Sequence, residues 1–516
     1  MKGFQIQQKG ERRISAALRI MLVIFLLAVQ IALVVAISYF MQEYLALAYA
    51  VVQVAALFLA IRIYNEPGEL SYKLIWFILL LLAPPVGMIL WFLWGGAAQK
   101  RHLPQNGKRV PDEPESVRKR SALAVERLTR QLPGWSRTAN YLCRRDFQLY
   151  QDTRVTYLPE GALLLRELIE QAKKAERFIF LEYFILAEGR LWSELEKILC
   201  TKAREGVEVK IIFDDFGNIK RFRGETIDRL RDAGVEVFIF NPVHEYVNRL
   251  YFNYRDHRKI ACFDGDVAYT GGVNIADEYA NLIERFGYWK DSGVRLDGPG
   301  AASLANIFLT FWKAKYPDED LDAGCDLPAA VPVETDCLVQ PFADTPVDRE
   351  AVAKNVYLEL INQAQKRLYI CTPYLILDND LLSCLRLAAK RGVDVRIYTP
   401  GVPDKPTIYQ LTRSYFPHLL RAGVKIYSYT PGFLHAKTWL VDDRIAAVGT
   451  VNLDYRSLYL HFENSVLLYG GAVLDDVRRD LAEIEKESAA VTLADCRTGF
   501  FGTLYSAVLR LVAPLC

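Results

Sequence analysis

No Cys-x-x-Cys pair occurs in this chain, and its nine cysteines are scattered and odd in number. That excludes a zinc cage of paired thiols and a disulfide framework, and leaves small core thiols of a reducing compartment. Charge of one sign is also missing, since 63 basic and 61 acidic residues leave a net charge of +2. A chain so balanced does not coat nucleic acid through a broad basic face, although a local basic site stays open. Histidine is scarce: His102, His244, His257, His418, His435 and His461 are the whole set.

Apolar sequence, by contrast, is plentiful at the start. Residues 20–40 and 74–94 are each as long as a membrane-crossing helix, and 44–61 is shorter but free of charge. Lys2, Lys9, Arg12 and Arg13 precede the first run as they would in a signal peptide, but two further apolar runs follow at once. Trp76, Trp91 and Trp94 stand near the ends of the third run, where amphipathic rings prefer the interface. Basic residues crowd both flanks of the apolar region, at 2–13 and at 100–109. The positive-inside rule asks for both flanks in the cytoplasm, so three full crossings do not fit. Either Pro84 and Pro85 interrupt the third run, or the short second run lies in the interface.

Residues 95–125 are polar and carry Pro104, Pro111 and Pro114, which predicts a linker. Beyond it, helical periodicity alternates with short β-rich runs, so an α/β domain is expected. The pattern then repeats. Residues 168–174 lead into a strand at 178–184 as 360–366 lead into 368–375. Gly206 and Gly392 end the next helices, and Gly234 and Gly423 end a later pair, each ahead of a strand. Glycine there supplies a left-handed helix cap. Two homologous halves are predicted, joined through a stretch rich in Asp, Pro and Ala at 320–347.

Two of the six histidines occupy the same pattern, H-x-K-x-x-x-x-D, at 257–264 and again at 435–442. By chance one such spacing is worth about a few hundredths of an occurrence. Two at matching places of a repeat are not chance. On a strand, residues i and i+2 share a face, so His257 sides with Lys259 and His435 with Lys437. Each motif is followed by a second strand and a turn, Gly271, Gly272, Val273, Asn274 and Gly449, Thr450, Val451, Asn452. Those turns bring backbone N–H groups and an amide toward the His/Lys face, a cradle for a tetrahedral phosphoryl group. Two facing half-sites would set two imidazoles about one phosphorus. One would act as nucleophile, and the other as acid to the leaving alkoxide and then base to the incoming hydroxyl. Lysines neutralise the phosphoryl oxygens, so neither metal nor cofactor is expected. A single His-x-Lys would more simply be a solvent-facing pair. His461 reads as a satisfied neighbour of the second motif, and His102, His244 and His418 as structural or exposed.

This doubled motif resembles the signature of the phospholipase D superfamily. Its flanks resemble bacterial cardiolipin synthases: residues 429–437 and 269–274, with Asp277, Glu278, Tyr279, Tyr288, Trp289 and Asp291. Asn452, Asp454, Arg456 and Ser457, and Tyr72, Lys73 and Trp76 in the apolar region, extend the likeness to essentially the whole chain. The resemblance implies two phospholipase D-type α/β sandwich domains with pseudo-two-fold symmetry, preceded by N-terminal transmembrane helices. The boundaries expected are a membrane anchor with two or three apolar helices at 1–95 and a polar linker at 96–139. The halves follow at 140–325 and 335–490, with an amphipathic tail at 491–516 that is a last core helix or, by preference, a helix lying on the bilayer.

The chemistry implied is phosphatidyl transfer between two phosphatidylglycerol molecules, giving cardiolipin and glycerol. His257 would be the nucleophile and His435 the acid/base, or the reverse. Lys259, Lys437, Asn274 and Asn452 would hold the phosphate, with Gly272 and Thr450 in the binding turns. Asp291 and Glu463 would be the carboxylates by which each half orients its histidine. Asp264 and Asp442 belong to the catalytic motif but read as ties of the motif loop. Thr450 stands where serine is usual and keeps the hydroxyl. The partners implied are membrane lipid and the bilayer, not nucleic acid, with a homodimer open. The place implied is the cell membrane, multi-pass, with the catalytic part at the cytoplasmic face. Rival readings are a phosphatidylserine synthase, a hydrolytic phospholipase or a nuclease of the same superfamily, and a non-catalytic membrane scaffold. The scaffold would show a broken motif, and both copies are intact.

Overall fold

The computed structural model describes residues 25, 26, 28–36, 39, 45–66, 68–95, 114–219, 221–242, 253–316, 331–348 and 350–515. The chain forms two compact units, Met1–Gln99 and Lys100–Cys516.

In the first unit the expected span at 20–40 lies only partly within the described residues. The second run, read as marginal, becomes the long helix Leu45–Asn65. Among the described residues it contains the one stretch, Leu47–Asn65, long and apolar enough to cross a bilayer. The third run is not one helix. It breaks at Ala83 into Leu70–Leu82 and Pro84–Trp94. Pro84 has no N–H to continue the ladder, and a proline ring suits the first turn of a new helix. At about 1.5 Å per residue neither piece covers a ~30 Å hydrocarbon core. They fold back on each other instead. A Cβ on Gly87 would sit 2.9 Å from the Leu79 carbonyl, so glycine permits the close approach. Trp76 and Trp91 meet edge to face at 5.0 Å.

The second unit holds both halves. The first sheet runs Arg154–Leu158, Gly293–Asp297, Val267–Gly271, Lys259–Phe263, Phe178–Tyr183, Glu208–Asp214, Glu236–Phe240. The second runs Leu338–Asp344, His461–Tyr469, Ile445–Gly449, Thr438–Val441, Arg367–Cys371, Asp394–Pro400, Lys425–Tyr429, with Ser488–Val491 added at the far edge. Strand for strand the order is the same, which is the duplication seen in sequence. The glycines that ended the repeated helices have φ between 92° and 95°, the left-handed caps expected of them.

Three apolar layers hold the unit together. Leu165, Leu168, Leu195 and Val209 pack helices on the outer face of the first sheet. Leu360, Leu381, Ile397 and Leu411 do the same on the second. Between the sheets lie Phe180, Ile260, Leu296, Leu434, Leu440 and Val466, with Phe308 and Trp312 from helix Pro299–Lys315. This shared middle layer makes the halves one body, so the two motif strands are fixed relative to each other.

Part of the stretch predicted to be a polar linker, 96–139, is structured. Residues 96–113 lie outside the described residues, but Glu115–Gln131 and Ser136–Cys143 are helices. Their narrow apolar edge (Ala124, Leu128, Ala139, Leu142) belongs to the core of the second half. The stretch between the halves includes the strand Leu338–Asp344, and its residues 317–330 lie outside the described residues. The tail forms the helix Phe500–Val512, anchored by Leu509 and by Arg510 donating to His418 at 2.6 Å.

Phe180 stacks on Phe178 at 4.3 Å and on Phe308 at 4.8 Å in the middle layer. Phe180→Ala should lower unfolding stability by about 3–5 kcal/mol, read by denaturant unfolding of the detergent-solubilised protein. A loss below about 1 kcal/mol, the range of a well-tolerated core swap, would contradict the stacking.

Candidate active site

Each motif strand is central in its sheet, and each histidine stands just before its strand. What fixes the histidines comes from the opposite half. The short strand Arg255–Asp256 pairs in parallel with the start of His461–Tyr469, with Asp256 opposite Phe462. The short strand Gly432–Leu434 pairs in parallel with Tyr288–Lys290, with Leu434 opposite Lys290. One residue further on, His257 N–H donates to the Phe462 carbonyl at 2.9 Å, and His435 N–H to that of Lys290 at 2.7 Å. The register then sets His257 opposite Glu463 and His435 opposite Asp291.

The side chains follow. Nδ1 of His257 lies 2.9 and 3.0 Å from the two oxygens of Glu463. Nδ1 of His435 lies 2.6 Å from Oδ2 of Asp291. Sequence reading expected each half to supply the carboxylate for its own histidine, and the structure crosses them. A carboxylate on Nδ1 favours the tautomer with the proton there and leaves the Nε2 lone pair free.

Two of the turn residues serve the carboxylates and a third is engaged inside the fold, which corrects three of the phosphate contacts expected from sequence. Gly272 gives its N–H to the Ser292 carbonyl at 3.0 Å, and a Cβ there would sit 2.1 Å from Oδ1 of Asp291. Glycine is therefore needed to let that carboxylate in. Thr450 gives its N–H to the Asn464 carbonyl at 2.9 Å and its hydroxyl to Glu463. Asn274 accepts from Ile185 N–H at 3.0 Å and donates to the Tyr279 hydroxyl at 2.6 Å, so its amide is engaged inside the fold. Asn452 differs: its Oδ1 is buried with no hydrogen-bond partner. The halves are stitched further where Asn464 donates to Thr270 and Ser292 meets Thr438, both at 2.8 Å.

Asp264 and Asp442 sit outside this constellation. Asp264 accepts from the N–H groups of Glu176, Arg177 and Phe178 at 2.8 to 2.9 Å. Asp442 accepts from Gln365, Lys366 and Arg367 at 2.7 to 2.9 Å. Both have φ in the left-handed region, at 56° and 52°, which aspartate tolerates. They tie the motif strand to its neighbour.

Both lysines are buried, and each ammonium reaches back to the carbonyl of its own histidine, Lys259 at 2.6 Å. Burial pushes Lys259 down to about 7, with Lys437 adding to it against the pull of Glu463, and burial pushes Lys437 down to about 8 against the pull of Asp291 and Glu463. Burial and the adjacent Lys437 lower His435 to about 4, against the pull of Asp291. Burial, Lys259, Lys437 and His435 hold His257 well below the usual imidazole range. Each histidine thus feels the charges of the other half. Burial would raise Asp291, but His435 and Lys437 outweigh it and keep its carboxyl below the usual value. Near neutral pH the site has two neutral imidazoles, an ionised Asp291 and lysines close to titration. That is a site waiting for an anion.

Sequence reasoning missed several neighbours. Phe184 meets His257 edge-on at 5.2 Å. Trp289, Tyr279 and Phe433 surround His435 at 5.4 to 5.6 Å. His461, expected to be satisfied, has neither ring nitrogen in a hydrogen bond, and its ring lies 5.6 Å from that of His257. The alternation of a strand was the available signal, since residues 461 and 289 each stand two before an orienting carboxylate.

Comparison with known proteins places the chain in a family. A family model described as cardiolipin synthase, PLD-like domain, matches twice, at residues 165–285 and 357–484. A second, described as phospholipase D-nuclease N-terminal, matches 51–96. An uncharacterized protein of Streptococcus mutans is 46% identical over 379 residues, covering 73% of this chain and 82% of its own. A cardiolipin synthase of Alkalihalophilus pseudofirmus is 34% identical over 468 residues, covering 89% and 92%. Among solved structures, phosphatidylserine synthase of Haemophilus influenzae superposes with a TM-score of 0.55 at 18% identity, over 70% of this chain and 93% of that one, a likeness of fold.

A lysine with a depressed pKa is charged below that value and loses its charge as pH rises through it. Sulfate, a dianion throughout, should therefore bind the site less tightly as pH climbs past about 7 to 8, where Lys259 and Lys437 discharge. Calorimetric titration across that range checks it, and an affinity independent of pH would contradict the anion cradle.

Proposed function

We propose that this chain, which belongs to the phospholipase D-like cardiolipin synthase family, transfers a phosphatidyl group between two phosphatidylglycerol molecules to give cardiolipin and glycerol. The observation that carries the reading is the pair of crossed imidazole–carboxylate contacts, which builds two half-sites into one. The enzyme is a phosphatidyltransferase.

In the first step, Nε2 of His257 attacks phosphorus and the bond to the glycerol headgroup breaks. The leaving alkoxide takes a proton from Nε2 of His435. A bound phosphodiester anion next to Lys259 and Lys437 raises the pKa of His435 from its low empty-site value, so the ring can carry that proton. Glycerol leaves. In the second step, neutral His435 takes the proton of a headgroup hydroxyl of the second phosphatidylglycerol, whose oxygen attacks the phosphohistidine. Cardiolipin forms, and both imidazoles return to their starting state. Asp291 and Glu463 hold the rings and stabilise the imidazolium stage, and the lysines balance charge on the phosphoryl oxygens. Asn452, with its free oxygen, supports contact with the lipid headgroup rather than with the phosphate itself.

The substrate is a membrane lipid, and the N-terminal unit supports a multi-pass anchor. With the apolar run at 20–40 as a first crossing, helix Leu45–Asn65 would be the second, and the Leu70–Leu82 and Pro84–Trp94 pair would enter and return. That arrangement, with basic residues on both flanks, favours a catalytic unit at the cytoplasmic face. Helix Phe500–Val512 exposes Phe500, Phe501, Leu504 and Val508, which suits an interfacial helix.

Lipid analysis of the purified enzyme given labelled phosphatidylglycerol tests the reading. Cardiolipin and glycerol should form, in EDTA as well as without it. Phosphatidic acid alone, or product only when serine is added, would point to a hydrolase or a phosphatidylserine synthase. His257→Ala and His435→Ala should each abolish transfer, and Asp291→Asn should slow it on the order of 10²–10⁴-fold with folding intact. Turnover like the wild type in either histidine variant would sink the mechanism.

A further inference from the structure

We propose that His257, His461 and Glu463 form a site for a divalent transition-metal ion, zinc above all, whose occupation switches the enzyme off. Each of the three offers one ligand atom, and these atoms lie within 4.8 Å of one another. Nδ1 of His257 is 2.9 Å from Oε2 of Glu463, and Nδ1 of His461 is 3.7 Å from Oε1. A tetrahedral zinc with bonds of 2.0–2.1 Å keeps its ligand atoms about 3.3 Å apart. Small side-chain rotations therefore bring the three atoms around one ion. Two imidazoles and one carboxylate are a donor set zinc accepts in sites that keep a fourth position open.

The second observation is the state of His461. Both its ring nitrogens are buried and neither makes a hydrogen bond, an arrangement a fold ordinarily avoids. With no hydrogen bond to hold it, Nδ1 of His461, 3.7 Å from Oε1 of Glu463, is available to an ion. The side chain is 12% exposed, so solvent reaches it.

The third is asymmetry. Trp289 stands two residues before Asp291 as His461 stands two before Glu463. Their rings lie 5.4 Å from His435 and 5.6 Å from His257 respectively. An indole offers no ligand to a metal, so the pseudo-symmetric place beside His435 cannot bind one. Among the described residues only the His257 side is equipped.

Metal in this position binds Nδ1 of His257 in place of the proton held there, which moves to Nε2 and removes the lone pair the nucleophile needs, and it separates that ring from Glu463. The nearby lysines oppose a cation, which keeps binding reversible. Inhibition rests on the nucleophile role proposed above, whereas binding does not.

Full-length protein in detergent, stripped with EDTA, is titrated with Co²⁺ as a spectroscopic probe and then with Zn²⁺. We expect one ion per chain, a visible ligand-field band without thiolate-to-cobalt charge transfer, and displacement by zinc. His461→Asn should weaken binding by more than the roughly 10–100-fold that loss of an outer-shell partner costs. Zinc should stop lipid transfer, EDTA should restore it, and His461→Asn should need correspondingly more zinc. Absence of bound metal, a thiolate signature, or unchanged affinity in His461→Asn would overturn the site. Bound zinc with full turnover would overturn the switch. Bound zinc in a protein that makes no cardiolipin under any condition would instead overturn the proposed function.

Discussion

The imidazole of each half is held by a carboxylate of the other, and much of the rest of the structure serves that exchange. A histidine whose Nδ1 is tied presents one defined nitrogen, Nε2, to whatever enters. Because the ties cross, neither half contains a complete site. The shared apolar layer between the sheets, the two short parallel strands and the Asn464–Thr270 and Ser292–Thr438 contacts all act to keep the crossed register. A shift of one residue in either short strand would turn a histidine away from its carboxylate.

Electrostatics follows from the same crowding. Burial is the first cause of the low values of Lys259 and His435, and the neighbouring Lys437 adds to it against the pull of Glu463 and Asp291. The site stores an affinity for phosphate as a set of depressed pKa values. Entry of the phosphodiester relieves the repulsion and lets one ring hold a proton, so binding and the readiness for acid catalysis arrive together.

The halves are not copies in detail. Beside His257 stand Asp256 and Arg258, with Arg255 paired to Asp214 at 3.3 Å and Arg258 to Glu182 at 3.4 Å. Beside His435 the same places carry Leu434 and Ala436, and the ring sits among aromatics. Burial raises Asp214 to about 6 against the pull of Arg255, and burial with Glu182 raises Asp256 well above the usual carboxyl range. A polar setting on one side and an apolar one on the other are grounds for unequal roles in a nearly symmetric pair.

The repeat, the strand faces and the break at Pro84 were legible because glycine caps, alternation and proline act locally. The crossing was not, because nothing in a strand's own sequence names its partner. Gly272, Thr450 and Asn274 were read as phosphate contacts since spacing reveals nearness to the histidine but not which acceptor takes each N–H. Helix Glu115–Gln131 was read as linker because its buried edge is only Ser121, Ala124 and Leu128. The most direct measurement of the central claim is rapid-quench trapping of the enzyme with phosphatidylglycerol, followed by mass spectrometry of the acid-labile adduct. The account predicts one phosphatidyl group per chain on Nε2 of a motif histidine, because Nδ1 is held by the opposite half's carboxylate. An adduct on Nδ1, or on any residue other than His257 or His435, would contradict it.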